Sequence, residues 1–189
     1  MRKTQRHSDS IRLLCLSALM CALLILSTLL FRFPLPGTDV LFTLQVMAVL
    51  LCGLLLPLRY ALYSVLGYIG LGLMGLPVFS SVCGPGAVFT PSFGFLLGFP
   101  AAVIIERSVL QKLQNKKSCD FVAALSGILL MYLVALAYIT FLKGVWMQSA
   151  FSMREILLAY GLSFLPLDVV KAVLASLVAP RIRKALLRR

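Results

Sequence analysis

Six stretches of apolar residues, closed by proline, glycine or charged side chains, leave this chain few ways to fold. They span residues 11–31, 41–56, 60–75, 93–105, 121–142 and 156–178. A helix needs about 20 apolar residues to cross the hydrocarbon of a bilayer. The first, fifth and sixth runs reach that length, and the second to fourth are shorter. Lipid offers no hydrogen bonds to a backbone, so a crossing segment must satisfy its own peptide groups, as a helix does. Apolar residues fill 61% of the 189 positions and charged residues 13%, against about 45–50% and about 25% in soluble domains. The runs therefore predict an all-α membrane protein of six transmembrane helices. The first run follows a basic stretch, yet its 21 residues exceed the core of a signal peptide, about 7–15 residues, and no small-residue cleavage site follows. It is expected to be retained.

The net charge of +12 would suit nucleic acid if it formed a stripe. Instead the basic residues cluster between apolar runs, which carries topology rather than phosphate recognition. With six crossings, Arg32, Lys143 and Arg154 fall on one side and Lys171 lies inside a span. The other fourteen of the 18 Lys and Arg fall on the opposite side: the N-terminal tail, Arg59, the loop after the fourth run and the C-terminus. The positive-inside rule then makes both termini cytoplasmic. The organisation expected is a basic tail over 1–10, one transmembrane domain over 11–180 and a second basic tail over 181–189.

Residues 76–92 lie between spans and contain no charge, but hold Pro77, Cys83, Gly84, Pro85, Gly86 and Pro91. So apolar a loop is expected to fold back over the bundle as a lid rather than float in water. Catalytic patterns are missing. The chain has no GxxxxGK[ST], no GxSxG and no HExxH, and its one histidine, His7, lies in the tail. Its six acidic residues are scattered singly, and its five cysteines have neither CxxC nor Cys/His spacing. ATP-driven work by this chain alone, serine or metal hydrolysis, a metal centre and a disulfide framework are thus not indicated. No cofactor is expected.

Within the sixth run stand two charges three residues apart, Asp168 and Lys171. Ionisable groups at such depth are costly and mark a functional site with its partner. Regular helical spacing places Tyr160, Phe164, Asp168 and Lys171 on one face. A few placed polar groups beside an aromatic wall are the usual make-up of a small-molecule pocket. Two readings stay open: a ligand floor, or an ion pair that ties helices together in a scaffold without transport. Pro166 is expected to break the helix locally and free a carbonyl. In the first run, Ala18 and Ala22 form a small-xxx-small stripe that fits close packing of another helix, within the bundle or from a partner. The glycines 67, 70, 72 and 75 predict a smooth, tightly packed third helix.

Several segments together resemble one family, the BioY substrate-binding (S) components of energy-coupling-factor (ECF) vitamin transporters, specific for biotin. The likeness lies in Phe42-Thr43-Leu44-Gln45, in the stretch from Gly72 to Phe79, in Gly98-Phe99-Pro100, and in the Asp-x-x-Lys of Asp168 and Lys171. It extends over most of the chain. The resemblance implies a six-helix S-component bundle in a bacterial cytoplasmic membrane, with a biotin cavity near the outer face closed by the first and third loops. It implies that Asp168 and Lys171 contact biotin. It also implies that Ala18 and Ala22 dock on a transmembrane coupling (T) protein, which works with ATPase subunits. Residues 90–95, Thr-Pro-Ser-Phe-Gly-Phe, stand where the family usually shows Gly-Pro-Thr-Gly-Gly-Tyr. Ser92, Gly94 and Phe95 thereby become candidate contacts, with the tyrosine hydroxyl replaced by a plain ring.

Biotin suits these residues. Its ureido ring has two N–H donors and one carbonyl acceptor, which a carboxylate and an ammonium can pair together. Its thiophane ring and valerate chain fit walls such as Tyr160, Phe164 and Phe95, and Gln45 can add a hydrogen bond. An S component for a different vitamin is the nearest alternative.

Overall fold

The computed structural model describes residues 2–34, 40–113, 118–146 and 153–187. Helix dominates these: α1 (Arg2–Leu30), α2 (Gln45–Leu55), α3 (Leu58–Leu73), α4 (Pro91–Lys112), α5 (Cys119–Phe141), α6 (Met153–Ile156) and α7 (Leu165–Leu187). Among the described residues, Ser10–Leu30, Pro91–Lys112, Cys119–Gly144 and Leu157–Ala185 are long and apolar enough to cross a membrane. The chain is a multi-pass membrane protein. With 11 and 16 residues, α2 and α3 are shorter than a full crossing. Lys116, Lys117, Arg188 and Arg189, counted for orientation, lie outside the described residues, as do Pro36 and Gly37 beyond the first run.

Side-chain spacing explains the packing. Ser17, Met20, Leu24 and Thr28, at steps of three and four, form the buried face of α1, which lies against α3. Ser17 Oγ donates to the Tyr60 carbonyl at 2.9 Å, and the hydroxyls of Thr28 and Tyr68 meet at 3.3 Å. These bonds matter in lipid, where an unmet hydroxyl has no water to turn to. Ala18 and Ala22 fall on the exposed face of α1, so their stripe is not used for packing inside the bundle. Between α4 and α5 the contact is closest at Gly94 and Gly98. A Cβ at Gly94 would sit 2.9 Å from the Ala135 carbonyl oxygen, and one at Gly98 2.8 Å from that of Met131. Of the glycines 67, 70, 72 and 75, Gly72 is closed over by the Phe79 ring, whereas Gly70 and Gly75, the latter beyond the end of α3, face open space.

Four local features depart from the sequence reading. Residues 41–43, expected to open the second span, form a strand instead: β1 (Arg32–Pro34) pairs antiparallel with β2 (Leu41–Thr43), Phe33 opposite Phe42. The helical runs are also longer than their apolar cores, α1 reaching back through the basic tail and α4 onward to Lys112. The break in the last span precedes Pro166. A π-helical turn over Leu157–Leu162 and a bend at Ser163 and Phe164 leave Pro166 in the first turn of α7, where its missing N–H costs nothing. Finally, Glu106, expected to end the apolar part of the fourth span, is wholly buried, 0% exposed. Its carboxyl fills the space vacated by Gly53 of α2 and Gly127 of α5, and neither oxygen has a hydrogen-bond partner among the described residues.

The segment 76–92 folds back onto the bundle. Val78, Phe79 and Ala87 are buried. Tyr68 donates its hydroxyl to the Val78 carbonyl at 3.0 Å, and Tyr138 donates to that of Val88. Gly75 and Gly84 turn the chain with φ of 96° and 83°, a region costly for other residues. The Gly84 amide then returns to the Gly72 carbonyl at 2.8 Å.

Candidate functional site

The N-terminal ends of α2, α4 and α7 converge on one cavity, with β2 and the 79–90 loop forming its remaining walls. Its empty volume, the open mouth included, is ≈ 590 Å³. The walls are mostly apolar or aromatic, with Phe79, Phe95, Phe99 and Phe164 among them.

Asp168 and Lys171 lie at this cavity, 2% and 4% exposed. Lys171 Nζ donates to Asp168 Oδ1 at 2.6 Å and to the Thr43 carbonyl at 2.7 Å, and sits 4.0 Å from the centre of the Phe42 ring. Asp168 Oδ2 accepts from the Tyr132 hydroxyl at 2.6 Å. A buried ion pair survives desolvation only when further bonds meet its remaining donors and lone pairs. Here two elements supply them: β2 through the Thr43 carbonyl and the aromatic face of Phe42, and α5 through Tyr132. The strand explains itself at this point, because it presents the Thr43 carbonyl outside any helical ladder. Position helps too. Asp168 stands in the first turn of α7, where the helix dipole favours a negative charge.

Gln45, Phe164, Ser92 and Phe95, all predicted from sequence, line the same cavity. Gln45 is buried, and its Nε2 has no hydrogen-bond partner among the described residues. Buried amide donors are seldom left unmet, so Gln45 offers an N–H to whatever fills the space. Phe95 stacks edge-on against Tyr132, 5.5 Å between centroids, and lies 6.3 Å from Phe164.

Two predicted residues are placed elsewhere. Tyr160 is buried beneath Lys143, whose Nζ lies 5.0 Å from its ring centre, and is not among the cavity walls. Counting 100° per residue projected it onto the Asp168 face, but the π turn over 157–162 changes the register. Lys143, assigned to a loop, is buried with it. Gly94 faces α5 rather than the cavity; its lack of a side chain serves helix packing. Tyr132, Thr43 and Phe42 were missed as participants. A tyrosine in mid-span is one signal that was available, since its hydroxyl seeks a partner when buried.

Comparison with known proteins places the chain in a family. The family model described as the BioY family matches residues 1–188. A probable biotin transporter BioY of Lysinibacillus sphaericus is 33% identical over 154 residues, 81% of this chain and 78% of the relative. The biotin transporter BioY of Thermotoga maritima is 35% identical over 153 residues, 79% and 84% of the two chains. Among solved structures, the S-component for biotin from an ECF-type ABC transporter superposes with a TM-score of 0.83 at 25% identity, covering 94% of this chain and 93% of that one. Ion pair, cavity and matched length point the same way, and the chain belongs to the BioY family.

Proposed function

We propose that the cavity at the N-terminal ends of α2, α4 and α7 binds biotin, and that the chain is the biotin S component of an ECF transporter. The observation that carries this is the Asp168–Lys171 pair, buried yet lining an aromatic-walled cavity in a member of this family. The carboxylate accepts from the ureido N–H groups and the ammonium donates to the ureido carbonyl. Phe95 and Phe164 enclose the apolar part of the molecule, while Gln45 and Ser92 add hydrogen bonds. Tyr160 and Gly94 act behind the wall, Tyr160 through Lys143 and Gly94 through the α4–α5 contact.

The bundle makes six passes in a bacterial cytoplasmic membrane with both termini inside, so the cavity opens outside. Loop 76–92 serves as its lid. The chain captures biotin, reorients and releases it within. The coupling protein docks along the exposed Ala18–Ala22 stripe of α1, and its ATPase subunits supply the energy that a chain without a P-loop cannot. Titration calorimetry of the purified protein with biotin tests the binding step. Saturable binding that a panel of other vitamins does not compete is expected; folded protein that ignores micromolar biotin would sink the proposal. Asp168→Asn and Lys171→Ala should each weaken binding, since each leaves a buried group unpaired.

A further inference from the structure

At the opposite end of α4 from the cavity, Arg107 and Gln111 of α4, Cys119 of α5 and Arg183 of α7 line a second cleft of ≈ 500 Å³, its mouth included. Arg183 is engaged: its guanidinium donates to Asp120 and to the Leu54 carbonyl, both at 2.9 Å. Arg107 is not. Its Nε is buried without a hydrogen-bond partner among the described residues, and Arg183 is the charge it feels most, a repulsive one. Two arginines thus line one cleft, and Asp120 pairs with Arg183. A half-buried, uncompensated cation of this kind calls for an anion, and a guanidinium matches a phosphate with two parallel N–H donors.

We propose that this cleft binds the phosphodiester headgroup of an anionic phospholipid. The position favours lipid over free phosphate. Arg107 lies near the C-terminal end of Pro91–Lys112, a helix long and apolar enough to cross a membrane, and basic pockets at such helix ends take anionic lipids. From Cys119 the same face of α5 continues through Val122, Leu129 and Leu133, all exposed apolar residues. Val173 and Leu177 of α7 are likewise exposed. These side chains give the acyl chains of a bound lipid a track beside the cleft. A zwitterionic headgroup would bring its ammonium against the guanidiniums, so the site discriminates by net charge.

The test is native mass spectrometry of the full-length protein in detergent supplied with phosphatidylglycerol, phosphatidylethanolamine or phosphatidylcholine. Wild type should retain one phosphatidylglycerol with a preference of roughly five- to tenfold. Arg107→Gln should abolish that preference, and so should Gln111→Glu, an exposed position whose new charge repels phosphate without disturbing the core. Biotin binding by both variants, unaltered, verifies folding. Millimolar inorganic phosphate should leave the lipid in place. Equal retention of all three lipids, retention unaffected by both substitutions, or displacement by free phosphate would each overturn the proposal. So would a wild type that holds no lipid but loses its coupling protein on Arg107→Gln, which would place an acidic protein segment there instead.

Discussion

Tyr132→Phe removes a single oxygen and keeps the ring in its edge-on contact with Phe95, with 88° between the planes. The change therefore isolates the 2.6 Å bond from the Tyr132 hydroxyl to Asp168 Oδ2. Lys171 still holds Oδ1, so the carboxylate stays in place but loses the side-chain donor that fixes its second oxygen. A hydrogen bond to a charged group contributes about 1.5–3 kcal/mol net. If biotin needs that carboxylate oriented, the whole deficit appears in binding, a rise in Kd of roughly ten- to hundredfold. Calorimetric titration of wild type, Tyr132→Phe, Asp168→Asn and the double variant closes a thermodynamic cycle. The coupling should reach at least about 1 kcal/mol, because residues in one hydrogen-bond network are not additive. In the Asp168→Asn background the tyrosine should matter little. Tyr132→Phe with biotin affinity within about twofold of wild type and an unchanged melting temperature would refute the reasoning: the hydroxyl would then be irrelevant to how the pair meets its ligand.

Three further outcomes can be measured directly. Glu106→Met, which exchanges an unpartnered buried carboxyl for an apolar side chain of similar length, should stabilise the protein by about 1–3 kcal/mol, read as a higher melting temperature in detergent; a lower one would mean the carboxyl is bonded. Gly53→Ala should cost about 1–3 kcal/mol by overpacking, because Gly127 closes the other side of Glu106 and leaves its carboxyl nowhere to move. Adding Glu106→Ala should recover most of that loss, and no recovery would place the clash elsewhere. Ala18→Phe with Ala22→Phe should leave biotin affinity unchanged and abolish co-purification with the coupling protein, since both positions are exposed and outside the cavity; retained co-purification would move the docking surface off α1.

What could be read beforehand followed from how local each signal is. Asp168 and Lys171 stood out because two charges in one apolar run are an anomaly along the chain itself. Their partners carried a weaker mark: Thr43 contributes only a carbonyl, and Tyr132 is one of two tyrosines in the fifth run. The error at Tyr160 came from assuming one helical pitch through a segment that holds a π turn. The assignment of Glu106 to a span end followed the usual place of a carboxylate, whereas its burial depends on two glycines from different helices. A three-residue strand is too short to show alternation, so the hairpin was invisible. Helix content, which needs only composition and period, came through with shifted ends, and four of the six apolar runs lie in helices long enough to cross a membrane.

The polar clamp at the cavity also has a consequence for biogenesis. Lys171 finds the Thr43 carbonyl 128 residues earlier in the chain, and Asp168 finds Tyr132 36 residues earlier. Alone in lipid, a central aspartate or lysine disfavours insertion by about 2.5–3.5 kcal/mol. During synthesis, however, α7 emerges last, when β2, α2 and α5 have already been made. Its charges can enter against waiting partners rather than bare hydrocarbon, so a helix with two buried charges joins partners that are already in place. A chain truncated before α7 would leave the α5 tyrosine and the strand carbonyl as open polar points within the membrane, a mark by which quality control can tell unfinished chains from finished ones.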